Sequence, residues 1–206
     1  MKILIRNIAA VLFVLGSSAF SKAFSQADGY GLGDVVEDFN LANIDGRKIS
    51  MASFAEAKGF IVVFTCNHCP FSKTYEDRIV ALDNKFASKG FPVLAVNSND
   101  PQAYEEDNLV NMKKRATEKG FRFPYLVDDQ GLGQRFGATR TPQVFVLKRE
   151  NGQAIVKYTG AIDDNAQDSA AVNKRYVEDA VDHLLQDKPV IIQSTRAIGC
   201  SIKWRE

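Results

Sequence analysis

Phe60-Ile-Val-Val-Phe-Thr-Cys66-Asn67-His68-Cys69 is the stretch whose reading decides the fold. An apolar, β-branched run of strand length ends in C-x-x-C, and an amphipathic segment begins directly after it. Phe71, Tyr75, Ile79, Leu82 and Phe86 recur at helical spacing on one face. Pro70 is tolerated in a first helical turn, and Gly90 stops the helix. Two thiols therefore sit where a strand feeds a helix. There, unpaired N–H groups and the positive end of the helix dipole stabilise thiolate, the nucleophile of disulfide exchange. On this ground Cys66 is expected to be the exposed nucleophile, with a pKa of roughly 3.5–7.5. Cys69, one turn further in, is expected to be the buried resolving thiol. His68 between them is a candidate for tuning the thiolate, since a protonated imidazole adds positive charge; it reads equally as a solvated loop histidine.

Outward from this centre the pattern alternates. Phe39–Leu41 and Ile49–Met51 flank an Asp45-Gly46 turn and read as a short hairpin. Gly29–Gly33 reads as a flexible lead-in, and Ser53-Phe54 as a brief helical turn. Phe91–Val96 is a second buried-type strand. Asp100-Pro101 reads as an N-cap followed by proline at the first helical position. The acids Glu105, Glu106 and Asp107 then fall early in that helix, and Lys113, Lys114, Arg115 and Lys119 late. Phe123–Val127 is a short strand, and Gly131–Phe136 a turn of helix. Gln143–Lys148 and Ala154–Tyr158 form a hairpin across Glu150-Asn151-Gly152. Val172, Tyr176, Val177, Ala180, Val181 and Leu184 stripe a last helix closed by Pro189, with His183 on its polar side. The expected class is α/β, a mixed central sheet with helices on both faces.

The N-terminus stands apart. Lys2 and Arg6 precede the apolar run Ile8–Leu15, and Ala23-Phe24-Ser25 fits a small-residue cleavage site, with Ser25-Gln26-Ala27 as a second choice. The run is too short to span a bilayer, which takes roughly 20 residues. Residues 1–25 are expected to be a signal peptide, 26–188 the folded domain and 189–206 a C-terminal tail carrying a third cysteine. The expected localisation is exported, periplasmic or secreted, with no stable membrane insertion after cleavage. An uncleaved anchor is the competing reading. Removing Lys2, Arg6 and Lys22 leaves 23 of 26 basic residues against 25 acidic ones. That balance gives no basic footprint for nucleic acid.

Structural zinc usually takes four ligands, often from two such pairs, whereas this chain has one C-x-x-C pair, one distant cysteine and only 2 histidines. No metal and no cofactor are expected. An inert Cys66–Cys69 disulfide would close too small a loop to stabilise much. Cys200 is left over from the pair. It reads either as a small buried hydrophobe in a docked tail or as a third redox thiol held near Cys66, with Trp204 anchoring the segment.

Cys66-Asn-His-Cys69 at a strand–helix junction, with Thr141-Pro142 before a hairpin, resembles the thioredoxin superfamily. Gly33-Asp34, Asp38-Phe39-Asn-Leu41, Asp45-Gly46 and Phe54 are similar to the start of its TlpA-like and AhpC/TSA (redoxin, peroxiredoxin-like) branch. The runs Phe64-Thr-Cys-Asn-His-Cys-Pro-Phe71, Arg140-Thr-Pro142, Ile162-Asp-Asp164 and Gly199-Cys-Ser-Ile-Lys-Trp204 extend the likeness over residues 33–204. The resemblance implies a thioredoxin-like fold. It also implies a cis Thr141–Pro142 bond facing the cysteines, although only about 5–6% of X–Pro bonds are cis in folded proteins. Thr141 and Pro142 would then bind substrate through neighbouring backbone.

The function implied is thiol–disulfide exchange. The partners would be protein or small-molecule disulfides and an upstream thiol reductant or oxidant. The alternatives are a peroxiredoxin-like thiol peroxidase and a Cu(I) carrier using Cys66 and Cys69. Neither cysteine lies in the P-x-x-x-[ST]-x-x-C pattern of peroxidatic cysteines. Val62 and Cys66 stand at the key places counted from Cys69, and Gly59 and Val63 at those counted from Cys66. Strand 60–65 also lacks the acid that relays a proton in thioredoxin.

Overall fold

A computed structural model describes residues 29–205; the expected signal peptide lies outside them. The strand expected at 60–65 is Gly59–Thr65, every residue of it buried. To describe its place, the elements are numbered in chain order: β1 (Val35–Val36), β2 (Leu41–Asn43), β3 (Lys48–Ile49), β4 (Gly59–Thr65), α1 (Pro70–Phe86), β5 (Val93–Asn97), α2 (Leu109–Lys119), β6 (Tyr125–Val127), α3 (Leu132–Phe136), β7 (Arg140–Thr141), β8 (Gln143–Glu150), β9 (Gln153–Gly160), α4 (Tyr176–Leu185) and β10 (Cys200–Ser201).

Eight strands form one sheet in the order β1-β9-β8-β4-β5-β6-β2-β3. β4, β5 and β6 run parallel, while β8, β9 and β1 extend the sheet antiparallel on one side. β2 and β3 close the other side as the hairpin expected at Asp45-Gly46. The β8–β9 turn is the Asn151-Gly152 pair, both with positive φ, as a tight hairpin turn requires.

Period-2 alternation along β4 divides the core. Ile61 and Val63 face α1, α2 and α4, packing with Tyr75, Ile79, Met112 and Val181. Phe60, Val62 and Phe64 face α3 and the N-terminal hairpin, packing with Leu132, Phe136 and Leu41. Each such fully buried side chain contributes about 1.5–3 kcal/mol. Among the described residues, two arginine–carboxylate pairs fasten α1 to its surroundings. Arg115 of α2 holds Glu76 through two hydrogen bonds of 2.6 Å. Arg78 reaches both oxygens of the buried Asp163 at 2.9 and 2.8 Å, where Tyr75 also donates.

Three local readings are corrected. The helix expected from Asp100 begins only after Asn108, whose side chain caps it by accepting from Asn111 N–H. Asp100 instead closes an Asx turn onto Gln102 N–H, because the apolar period of α2 starts at Leu109. Val172 lies outside the last helix, which starts at Tyr176. The glycine-rich lead-in is tied down: Gly33 N–H donates to the Val156 carbonyl, and β1 pairs with β9.

At Gly59 the start of β4 passes so close to the Leu147 carbonyl and the Phe91 ring that a Cβ has no room. Gly59→Ala should therefore destabilise the domain by about 1–3 kcal/mol, as overpacking does, read from the denaturant midpoint at unchanged slope.

Candidate active site

Cys69 is the N-cap of α1, with Pro70 at the first helical position. Cys66 lies in the loop between β4 and that cap. Asn67 fixes this loop: its N–H donates to Asp107 Oδ1 at 2.6 Å, its Nδ2 to the Glu106 carbonyl, and its Oδ1 accepts from the Tyr125 hydroxyl. Across from it, the Thr141–Pro142 bond is cis, as the resemblance implied. Thr141 touches two of the three cysteines directly. Its hydroxyl lies 3.2 Å from Cys66 Sγ, and its carbonyl lies 3.3 Å from Cys69 Sγ.

The third cysteine arrives from the C-terminal tail. β10 pairs antiparallel with β7, setting Cys200 opposite Thr141 and Ser201 opposite Arg140. Cys200 is bonded to Cys69, with Cα atoms 6.0 Å apart, and Cys66 is the free thiol. The disulfide of this state is therefore not the C-x-x-C pair. The pairing spans 131 residues of sequence; removing a native disulfide typically costs about 2–5 kcal/mol. The tail expected at 189–206 is docked. Ile202 is buried in the core, and the Trp204 ring covers Gly133 of α3. A cleft of about 770 Å³ runs between Asp100–Ala103 and Ile202–Arg205, with no cysteine in its lining.

Asp107, read in sequence as part of a helix start, proves to be the buried centre of a polar network. It accepts from Asn67 N–H, from Asn97 Nδ2 at 3.1 Å, from Asn99 Nδ2 at 2.9 Å and from His68 Nδ1 at 2.9 Å. Asn99 is oriented by Lys203 N–H, which donates to its Oδ1. Its amide nitrogen thus donates to Asp107, and His68 Nδ1, 2.9 Å from the Asp107 carboxylate that can only accept, is the donor of that contact rather than an acceptor from Asn99. Tyr104 stacks on the imidazole with ring centroids 3.7 Å apart. The available signal for Asp107 was Asn108, a cap as good as Asp100 and placed where the apolar period starts. His183 lies away from this cluster, on α4, with Nδ1 at the Asp179 carbonyl.

Cys66 is not the exposed, low-pKa thiol expected from the helix start. It is 2% exposed. Burial pushes its pKa above the ordinary value, and the charge of Asp107 adds to the rise; hydrogen bonds from Thr141, the Cys69 N–H and Ser72 oppose it. The physical reason is position: the cap is Cys69, so of the free helix N–H groups only that of Cys69 acts on the Cys66 sulfur. Cys66, His68 and Asp107 bring one sulfur, one nitrogen and one oxygen within 4.8 Å of one another. Both Asp107 oxygens already accept hydrogen bonds, and Cys69 is bound to Cys200. The thiol pair that soft copper would need is therefore not assembled in this state.

Residues 32–163 match the AhpC/TSA family model, and the chain belongs to that family. It is 24% identical over 168 residues to the thiol-disulfide oxidoreductase ResA of Geobacillus thermodenitrificans, covering 78% of this chain and 89% of that one. A solved, uncharacterised conserved protein from Geobacillus kaustophilus is 34% identical, with a TM-score of 0.78 over 85% of this chain and 93% of that one. A thioredoxin-family thiol:disulfide interchange protein from Chlorobium tepidum is 23% identical, with a TM-score of 0.50 over 61% and 83% of the two chains. The fold is thioredoxin-like, with the mixed sheet and two-sided helices expected.

Because burial holds the Cys66 thiol above its ordinary pKa, its alkylation in the folded, oxidised protein should be slow at pH 7 and rise toward alkaline pH. Asp107→Asn removes a charge that opposes the thiolate, so the ultraviolet thiolate titration of Cys66 should shift to lower pH in that variant.

Proposed function

We propose that the chain is an exported thiol–disulfide oxidoreductase acting at Cys66 and Cys69, with Thr141 and Pro142 presenting backbone to the substrate. One observation carries the reading: the free Cys66 thiol and the Cys69–Cys200 disulfide meet at one residue, Thr141, beside the start of α1. The family and the likeness to ResA support it. Export is supported by the charge and apolar pattern of residues 1–25, and among the described residues no helix is long and apolar enough to cross a membrane.

In the reduced protein, the Cys66 thiolate attacks one sulfur of a substrate disulfide, and the other substrate sulfur leaves as a thiolate that takes up a proton. The Cys69 thiolate then attacks Cys66 Sγ. A Cys66–Cys69 bond forms, the mixed disulfide breaks, and the second substrate thiol departs. The substrate gains two electrons and two protons, both supplied by the two protein thiols. His68 and Asp107 sit beside Cys66 as the proton-exchanging pair that β4 lacks. An upstream dithiol restores the reduced form in the reductase direction, and an upstream oxidant runs the steps in reverse.

The reduced protein should reduce insulin disulfides with a dithiol as electron source. Cys66→Ser should lower turnover to the uncatalysed background, and Cys69→Ser should accumulate a mixed disulfide on Cys66. Peroxide consumption that outpaces disulfide reduction and survives Cys69→Ser would contradict the assignment in favour of the thiol peroxidase reading.

A further inference from the structure

We propose that Cys200 is a third redox cysteine of the exchange reaction, delivered to Cys69 by a C-terminal strand paired with β7. This inference rests on the exchange reading above. Two sets of contacts flanking Cys200 fix the tail without the disulfide. On one side, Thr195 N–H donates to the Thr159 carbonyl and Thr159 N–H to the Gln193 carbonyl, while the Thr195 hydroxyl takes part in a 2.6 Å contact with the Tyr158 hydroxyl and accepts from Ala161 N–H. On the other, Ile202 N–H donates to the Thr139 carbonyl, the Ile202 side chain is buried, and Asp100 N–H donates to the Lys203 carbonyl. Cys200 is thus positioned by noncovalent anchors on both sides. The strand pairing with Thr141 sets it at disulfide distance from Cys69 whichever partner Cys69 holds.

This geometry also explains why the free thiol is Cys66. Exchange with substrate leaves Cys66 bonded to Cys69. The Cys200 thiolate attacks Cys69 Sγ; the Cys69–Cys200 bond forms, the Cys66–Cys69 bond breaks, and the electron pair leaves on Cys66 sulfur. The proton lost by Cys200 is balanced by the one Cys66 takes up. No electrons enter or leave the protein in this step, so no further reactant is required. The product is the observed arrangement: Cys66 a free, buried thiol, and Cys69 joined to Cys200. With Cys69 joined to Cys200, Cys66 has no resolving thiol, and the next exchange waits until an upstream dithiol opens Cys69–Cys200.

The test uses the full mature chain, fully reduced, mixed with one equivalent of dithionitrobenzoate. Samples are quenched in acid over time and denatured, and the remaining free thiol is alkylated and located by peptide mapping. In the wild type the alkylated residue should move from Cys200 to Cys66 as the bond migrates. Ile202→Ser, which removes a buried anchor, should slow that movement several-fold while leaving the release of thionitrobenzoate unchanged. Cys200→Ser should stop at Cys66–Cys69 with full release. Release with Cys200 remaining the alkylated residue at all times overturns the relay and leaves the exchange reading standing. Equally fast formation of Cys69–Cys200 in Cys66→Ser overturns it as well, since the bond would then be a staple made without Cys66. No release from the wild type overturns both the relay and the exchange reading.

Discussion

The pairing of β10 with β7 is the constraint on which the rest of the site depends. Two residues of ladder set Cys200 opposite Thr141, and Thr141 already touches Cys66 through its hydroxyl and Cys69 through its carbonyl. A short edge strand of this kind contributes little stability alone. It holds because Ile202 is seated in the core that includes Phe60, Phe64 and Phe136, and Trp204 packs against it. The packing on one face of the sheet thereby sets which sulfurs can meet on the loop above it.

The electrostatics of the site follow from the same arrangement. Exposure beside a helix start would favour thiolate at Cys66. Here burial and the Asp107 charge outweigh the hydrogen bonds from Thr141, Ser72 and Cys69 N–H. In this state the Cys66 thiol is buried beside the Asp107 charge while the disulfide is held elsewhere. The Asp107 network extends the coupling to the tail: Lys203 orients Asn99, Asn99 donates to Asp107, and Asp107 accepts a hydrogen bond from His68 Nδ1. A contact made by the tail thus bears on the imidazole beside Cys66 through three hydrogen bonds.

Much of this was legible in the sequence because the signals are local. The apolar run before Cys66, the helical period from Phe71 to Phe86, and the Asp45-Gly46 and Asn151-Gly152 turns each state their own structure. Thr141-Pro142 was legible only through resemblance, since proline alone argues for trans. The Cys69–Cys200 bond was not legible: three cysteines allow three pairings, and the choice is made by the β7–β10 contact, which brings together two cysteines 131 residues apart in sequence. Asp107 was hidden for a different reason. Three consecutive acids read as helix-start charge, and only the tertiary position of Asn67, Asn97 and Asn99 shows that the last of them is buried as a hydrogen-bond hub.

The central claim is that the stable oxidised form of this protein carries its disulfide between Cys69 and Cys200. A redox titration against a glutathione buffer, with alkylation followed separately at each cysteine, tests it most directly. Cys69 and Cys200 should become protected together at a single midpoint, with Cys66 alkylated across the whole range after denaturation. Joint protection of Cys66 and Cys69, with Cys200 alkylated throughout, would contradict the account.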